Sequence, residues 1–183
     1  MNDLNFAQRI LAIDQALVKI AHAFGGAIAL AYYAEPRATI DIDLNLFVPT
    51  ARFSVVATAL GLIGVATDDP ETARLVERDG QARVFWDAVP VDMFFAYDRF
   101  HEAARRARVV VPFAEATIPV LAVEHLIVCK VIYNRPRDWV DIEAMVALGA
   151  PLEAAEVLRW VGRIAGDNDP RFDRIAAVLT HAR

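Results

Sequence analysis

The sequence predicts an α+β fold, a mixed β-sheet with flanking helices followed by a helical C-terminal region. Three observations carry this. Ile40, Ile42, Leu44 and Leu46 alternate with Asp41, Asp43 and Asn45, the period of a strand with one buried face. Ala82–Trp86 and Val89–Ala96 are two strand-like runs joined by a short turn around Asp87-Ala88, which reads as a hairpin. From Ala122 onward every segment between Pro and Gly breakers reads as helix. The expected organisation is a core over 1–120 and a helical region over 121–183 packed on it as one structural unit, since 183 residues would be cramped as two full domains. Helices layered on such a sheet bury its apolar face.

In chain order, Phe6, Ile10, Ile13 and Leu17 recur at helical spacing, so a first helix is expected over 4–18. Lys19–Phe24 reads as a strand, Gly25-Gly26 as a turn and Ala27–Tyr33 as an Ala-rich helix, closed by Glu35-Pro36-Arg37 because a proline disfavours helical geometry in the residue before it. The strand Ile40–Val48 follows. Pro49-Thr50 separates it from a helix over Ala51–Ile63, and Asp69-Pro70-Glu71 opens another with Pro near its first position. After the hairpin, His101–Arg106 suits a short helix and the β-branched run Val109–Phe113 a further strand, with Pro119 marking the entry to the helical part. That part is expected as helices over 122–134, 138–148, 152–165 and 170–182.

Composition narrows the function. Hydrophobic residues make up 56% and charged residues 23%, ample for a core and unlike a disordered chain. The longest stretch without charged or strongly polar residues, Ala23–Ala34, falls short of the roughly 18 apolar residues a membrane span needs. The N-terminus shows no basic segment followed by an apolar block, so a cytoplasmic location with no membrane partner is expected. A single cysteine, Cys129, excludes an internal disulfide and any zinc site built on several thiols, and its apolar neighbours make it a core thiol. A net charge of −5 argues against a protein that coats nucleic acid, a mode that needs many cations.

The sharpest chemical feature is Asp41-Ile42-Asp43. A period of two points both carboxylates to one face while the apolar residues pack the other. Two anions held side by side repel unless a cation sits between them, and Mg²⁺ (or Mn²⁺) is the oxygen-seeking ion that suits them; the solvent face of an edge strand would look the same. The Gly25-Gly26 turn upstream favours the metal, because its second glycine opens a helix whose backbone N–H groups can receive phosphate oxygens. Asp92, inside the apolar run Val91-Asp92-Met93-Phe94-Phe95, is the candidate third acid or else a paired structural one; Asp87 competes with it but falls in the turn.

Phe24-Gly25-Gly26 followed by Arg37-Ala38-Thr39-Ile40-Asp41-Ile42-Asp43-Leu44 resembles the signature of the nucleotidyltransferase superfamily. Glu124-His125-Leu126, Lys130 and Arg135-Pro136-Arg137-Asp138-Trp139-Val140-Asp141 resemble the helical motif of its AbiEii-like, abortive-infection toxin branch. The resemblance spans roughly Phe24 to Met145 and implies a nucleotidyltransferase-like sheet. It implies that Gly25 and Gly26 hold a nucleoside triphosphate, that Asp41 and Asp43 bind Mg²⁺, and that Asp92 is a third metal ligand or assists deprotonation of the acceptor. It further implies roles for Lys130 toward the triphosphate and for Asp138 or Asp141 near the active site. Asp138 and Asp141 lie three apart on one helical face, which equally suits a salt-bridged helix pair. One departure stands out: the superfamily often has Gly-Ser where this chain has Gly25-Gly26, so a hydroxyl contact to phosphate is missing.

Arg37 and Thr39 flank the strand entry and could reach a phosphate, or serve as a turn residue and a strand former. Arg99, Arg105, Arg106 and Arg108 with His101 form the densest basic segment, a hold for an RNA backbone or a solvated helix face. His22, His125 and His181 show no ligand spacing. The expected activity is Mg²⁺-dependent transfer of NMP from an NTP to a hydroxyl of RNA, including tRNA, or of a protein, by the toxin of a toxin–antitoxin pair with an antitoxin partner. The rivals are an antibiotic-type nucleotidyltransferase acting on a small molecule, and a non-catalytic nucleotide- or partner-binding module of the same fold.

Overall fold

The computed structural model describes residues 4–149 and 152–180. Its elements in chain order are α1 (Phe6–Ala16), β1 (His22–Phe24), α2 (Gly26–Leu30), β2 (Ile42–Leu46), α3 (Phe53–Gly61), α4 (Pro70–Asp79), β3 (Gln81–Trp86), β4 (Val89–Phe95), α5 (Arg99–Ala107), β5 (Val109–Phe113), β6 (Ala116–Val120), α6 (Val123–Tyr133), α7 (Pro136–Ala147), α8 (Ala154–Ala165) and α9 (Pro170–Thr180). The chain divides into two compact units, one of Met1–Ile28 with Ala38–Val120 and one of Ala29–Arg37 with Leu121–Arg183.

The first unit holds a mixed six-stranded sheet in the order β3-β4-β2-β1-β6-β5. The hairpins β3–β4 and β5–β6 are antiparallel, β2 runs parallel to β4, and β1 is antiparallel to β2 and parallel to β6. The alternation seen in the sequence is realised in β2, where Ile42, Leu44 and Leu46 are fully buried and Asp43 and Asn45 are half-buried. Local chemistry fixes the helix ends. Asn5 and Gln8 form a reciprocal capping box at α1, each side chain bonding the other's backbone N–H at 2.9 Å. Asp69 caps α4, Pro70 takes its first turn, and Gly80 ends it at φ +70°.

The second unit packs α6 against α7, α8 and α9. Its buried side chains include Leu126, Ile127, Val131, Trp139, Ile142, Met145, Val157, Val161 and Ile175. Asn134, at φ +55°, closes α6; Arg135 stands at the cap of α7 and Pro136 in its first turn.

Several boundaries differ from the sequence reading. The strand expected over Lys19–Phe24 is confined to His22–Phe24, because Leu17–Ile20 turns: Ile20 N–H donates to Leu17 O at 2.7 Å. The helix expected over Ala27–Tyr33 ends at Leu30 in a tightening turn, with Tyr33 N–H bonded to Leu30 O. That over Ala51–Ile63 is a 3-10 turn, Thr50–Arg52, followed by α3. β6 was not expected at all, since Pro119 read as a break; β6 meets β1 only at Phe24↔Val120, so Pro119 has a single neighbouring strand to serve. His181 and the last part of the helix expected over 170–182 lie outside the described residues.

Candidate active site

The first unit gathers the acids around three adjacent strands. Asp41 immediately precedes β2 and Asp43 lies within it, on the side opposite Ile42 and Leu44. Parallel pairing of β2 with β4 sets Asp43 beside Asp92. Antiparallel pairing of β3 with β4 sets Arg83 on the other side of Asp92. One row therefore runs Arg83, Asp92, Asp43 across the sheet. The Arg83 fork grips Asp92 with two bonds of 2.7 Å, Nε to Oδ1 and Nη2 to Oδ2, and Nη2 lies 3.6 Å from Asp41 Oδ2. The Asp92 bond and the charges of Asp92, Asp41 and Asp43 hold the guanidinium firmly protonated, against a smaller opposing effect of burial. Thr39 supports the approach to β2, its hydroxyl accepting from Asp41 N–H at 3.2 Å and donating to Asp41 O at 3.3 Å.

The glycine turn is joined to this row by backbone geometry. Gly25 N–H donates to Asp43 O at 2.9 Å, and Gly26 opens α2 at φ +49°. A Cβ on Gly26 would lie 1.8 Å from Asp43 Oδ2. This explains the departure from Gly-Ser noted above: with this backbone a serine would collide with the second aspartate, so the position takes the one residue without a side chain.

Arg83 is the site residue that sequence reasoning missed. The signal was present. A two-residue turn at Asp87-Ala88 pairs residues equidistant from it, and Arg83 and Asp92 are equidistant. Asp87, at φ +53°, is held by the buried Arg9, whose guanidinium also lies 5.0 Å from the Trp86 ring.

The second unit contains a separate ionic network. Lys130, on α6, is 6% exposed and donates to Asp141 Oδ2 at 2.6 Å, with Asp138 Oδ1 at 3.8 Å. Arg37 Nη2 reaches the same Asp141 oxygen at 3.2 Å. Arg135 binds Asp138 with Nε to Oδ2 at 2.8 Å and Nη2 to Oδ1 at 3.1 Å, and its backbone N–H also reaches Oδ2. Burial pushes the Asp141 carboxyl up, but the bonds and charges of Lys130 and Arg37 together outweigh it and hold the group below its ordinary value. Arg37 Nε is buried with no hydrogen-bond partner among the described residues.

Of the sequence candidates, the fold brings Gly25, Gly26, Thr39, Asp41, Asp43 and Asp92 together in the first unit. It brings Arg37, Lys130, Asp138 and Asp141 together in the second. The basic segment is partly neutralised within α5, where Arg105 and Arg106 both donate to Glu102 and their bonds bring its carboxyl down to about 2. Among the described residues no group of three or more His, Cys, Asp or Glu side chains is gathered to hold a metal ion. No helix of the described residues is long and apolar enough to cross a membrane.

A family model described as "Nucleotidyl transferase AbiEii toxin, Type IV TA system" matches residues 9–180. The chain belongs to the AbiEii nucleotidyl transferase toxin family. Membership in AbiEii makes it a nucleotidyltransferase of a type IV toxin–antitoxin family. No curated protein matches it. Among solved structures it is similar to the solution structure of the antibiotic-resistance factor ANT(2'')-Ia, at 17% identity and a TM-score of 0.59, covering 96% of this chain and 95% of that one. It is also similar to the crystal structure of ANT(2'')-Ia with adenylyl-2''-tobramycin, at 16% identity and a TM-score of 0.54, covering 97% and 96%. These likenesses establish the nucleotidyltransferase-type fold of this AbiEii chain.

Proposed function

We propose that this AbiEii protein transfers NMP from an NTP to a hydroxyl group, with Asp41, Asp43 and Asp92 holding Mg²⁺, or Mn²⁺ in its place. The observation that carries the reading is the seating of the glycine turn against Asp43, through the Gly25 N–H bond and the space left by the missing Gly26 side chain. The donor set fits the ion: same-face carboxylates offer the hard oxygens a small divalent cation takes, and the close cationic neighbour of Asp41 and Asp92 is a side chain, Arg83. When bound, the ion polarises the phosphoryl oxygens and offsets the charge of the leaving pyrophosphate.

The chain's own residues supply positioning. The Gly25-Gly26 turn receives the triphosphate and keeps its reacting end beside Asp43. Asp92 completes the acid row and takes the proton of the attacking hydroxyl as that oxygen bonds to the α-phosphorus and the bond to the pyrophosphate oxygen breaks. Roles for Lys130 toward the triphosphate, for Asp138 or Asp141 near the active site and for Arg37 as a phosphate fork rest on the family resemblance alone. Thr39 steadies the entry to β2.

The acceptor proposed is RNA, with tRNA included, or a protein hydroxyl, and the setting a cytoplasmic toxin countered by an antitoxin partner, in keeping with the family description. Incubating the protein with each labelled NTP and Mg²⁺ in the presence of RNA, protein or aminoglycoside tests this. Label on RNA or protein supports the reading; label on the aminoglycoside alone would place it with the antibiotic-type enzymes; and inertness toward all four NTPs would leave a nucleotide- or partner-binding module.

A further inference from the structure

We infer that Arg83 is the resident counter-cation of the acid row, a positioning residue that competes with the divalent ion for Asp92 and must release it for the metal site to assemble. The inference rests on the metal reading above and concerns a residue to which that reading assigns nothing.

The argument is one of charge and geometry. Asp41, Asp43 and Asp92 place three carboxylates around adjacent strands, an arrangement that repels itself without a cation. Arg83 sits in register with Asp92 and Asp43, grips both Asp92 oxygens at 2.7 Å and approaches Asp41 at 3.6 Å. A bidentate fork uses both carboxylate oxygens along the geometry that arginine recognises best, leaving Asp92 a poor ligand while it lasts. The Arg83 side chain is half exposed, so the grip is reversible: solvent screens the pair, and a doubly charged ion can displace it. Asp92 is thus held in place until an ion arrives.

The test is Mn²⁺ binding without nucleotide, followed through the electron paramagnetic resonance signal of the free ion, in wild type, Arg83→Gln, Asp92→Asn and the double variant. The expected result is that Arg83→Gln binds Mn²⁺ about fivefold more tightly, an exposed ion pair of good geometry being worth about that factor. The gain should vanish when Asp92→Asn is also present, because the competition runs through that carboxylate. Arg83→Lys, which keeps the charge but loses the fork, should gain about twofold and serves if the Gln variant fails to fold. Equal or weaker binding in Arg83→Gln overturns the inference while leaving the metal site standing. A gain that persists undiminished with Asp92→Asn also overturns it, since simple removal of a positive charge then explains the change. Absence of Mn²⁺ binding in every form sinks the metal reading itself, and the inference with it.

Discussion

At Gly26, backbone conformation and side-chain space make the same demand. The residue sits at φ +49°, and any Cβ would overlap the Asp43 carboxylate. Gly26→Ala should therefore lower stability by at least about 1–2 kcal/mol, the cost of a left-handed non-glycine residue, and more if Asp43 cannot move. Denaturant unfolding with parallel activity assays checks this, and the account expects activity to fall further than stability does, because Asp43 is the side chain displaced. The aspartates behave differently. Asp41 is 40% exposed, and Asp43 is half-buried on the face opposite the core residues Ile42 and Leu44. Asp41→Asn and Asp43→Asn should each cut NMP transfer by at least about 100-fold, the several kcal/mol of charge stabilisation a held metal supplies. Circular dichroism and thermal melting of these variants should remain close to wild type.

The junction of α6 and α7 is where a segment of the fold depends on charge. Lys130, Asp138 and Asp141 are all nearly inaccessible, and removing Lys130 takes away the closest partner of Asp141 while leaving Arg37 on Asp141 and Arg135 on Asp138. Lys130→Met should destabilise the protein by about 1–3 kcal/mol at pH 7, the cost of one lost buried partner where each aspartate keeps an arginine, a loss to be measured before any fall in its activity is read as chemistry. The pH dependence follows from Asp141. Its carboxyl lies below its ordinary value in the folded chain, so the unfolded chain takes up the proton more readily. The stabilisation is complete above the ordinary Asp range, about pH 4, and is lost as pH falls through the lower folded value. Unfolding midpoints measured from pH 7 to pH 3 should fall for wild type in that acid range, and the fall should be shallower for Lys130→Met. The sequence showed the i, i+3 spacing of the two aspartates and the preceding lysine, because helical periodicity is local. It did not show that Arg37 joins them through Asp141, since that pairing spans a long stretch of chain. The hairpin register lay between these cases: the turn was legible, and Arg83 opposite Asp92 followed from it, yet an arginine in an alternating strand looks like any solvent-facing residue. β6 escaped because a proline carries a strong breaking signal and only the sheet's strand order shows that one unsupported side suffices.

For the molecule as a whole, the legible part of the fold is what short-range pattern dictates: the Asp41-Asp43 alternation, the glycine turn, the hairpin and the succession of C-terminal helices. The strand order β3-β4-β2-β1-β6-β5 brings the two halves of the acid row together from residues almost fifty positions apart, and no local period encodes that. On the proposed reading, in keeping with a family described as a toxin, unchecked activity would harm the host cell. Expression of the wild-type chain in a bacterial host should slow growth, whereas Asp43→Asn at equal abundance should not. The most direct measurement of the central claim is transfer of label from α-labelled NTPs to RNA or protein, run with Mg²⁺, with chelator, and with the Asp41→Asn/Asp43→Asn double variant. The account predicts label on one acceptor class that disappears with chelator and in the folded double variant; full transfer by that variant would contradict it.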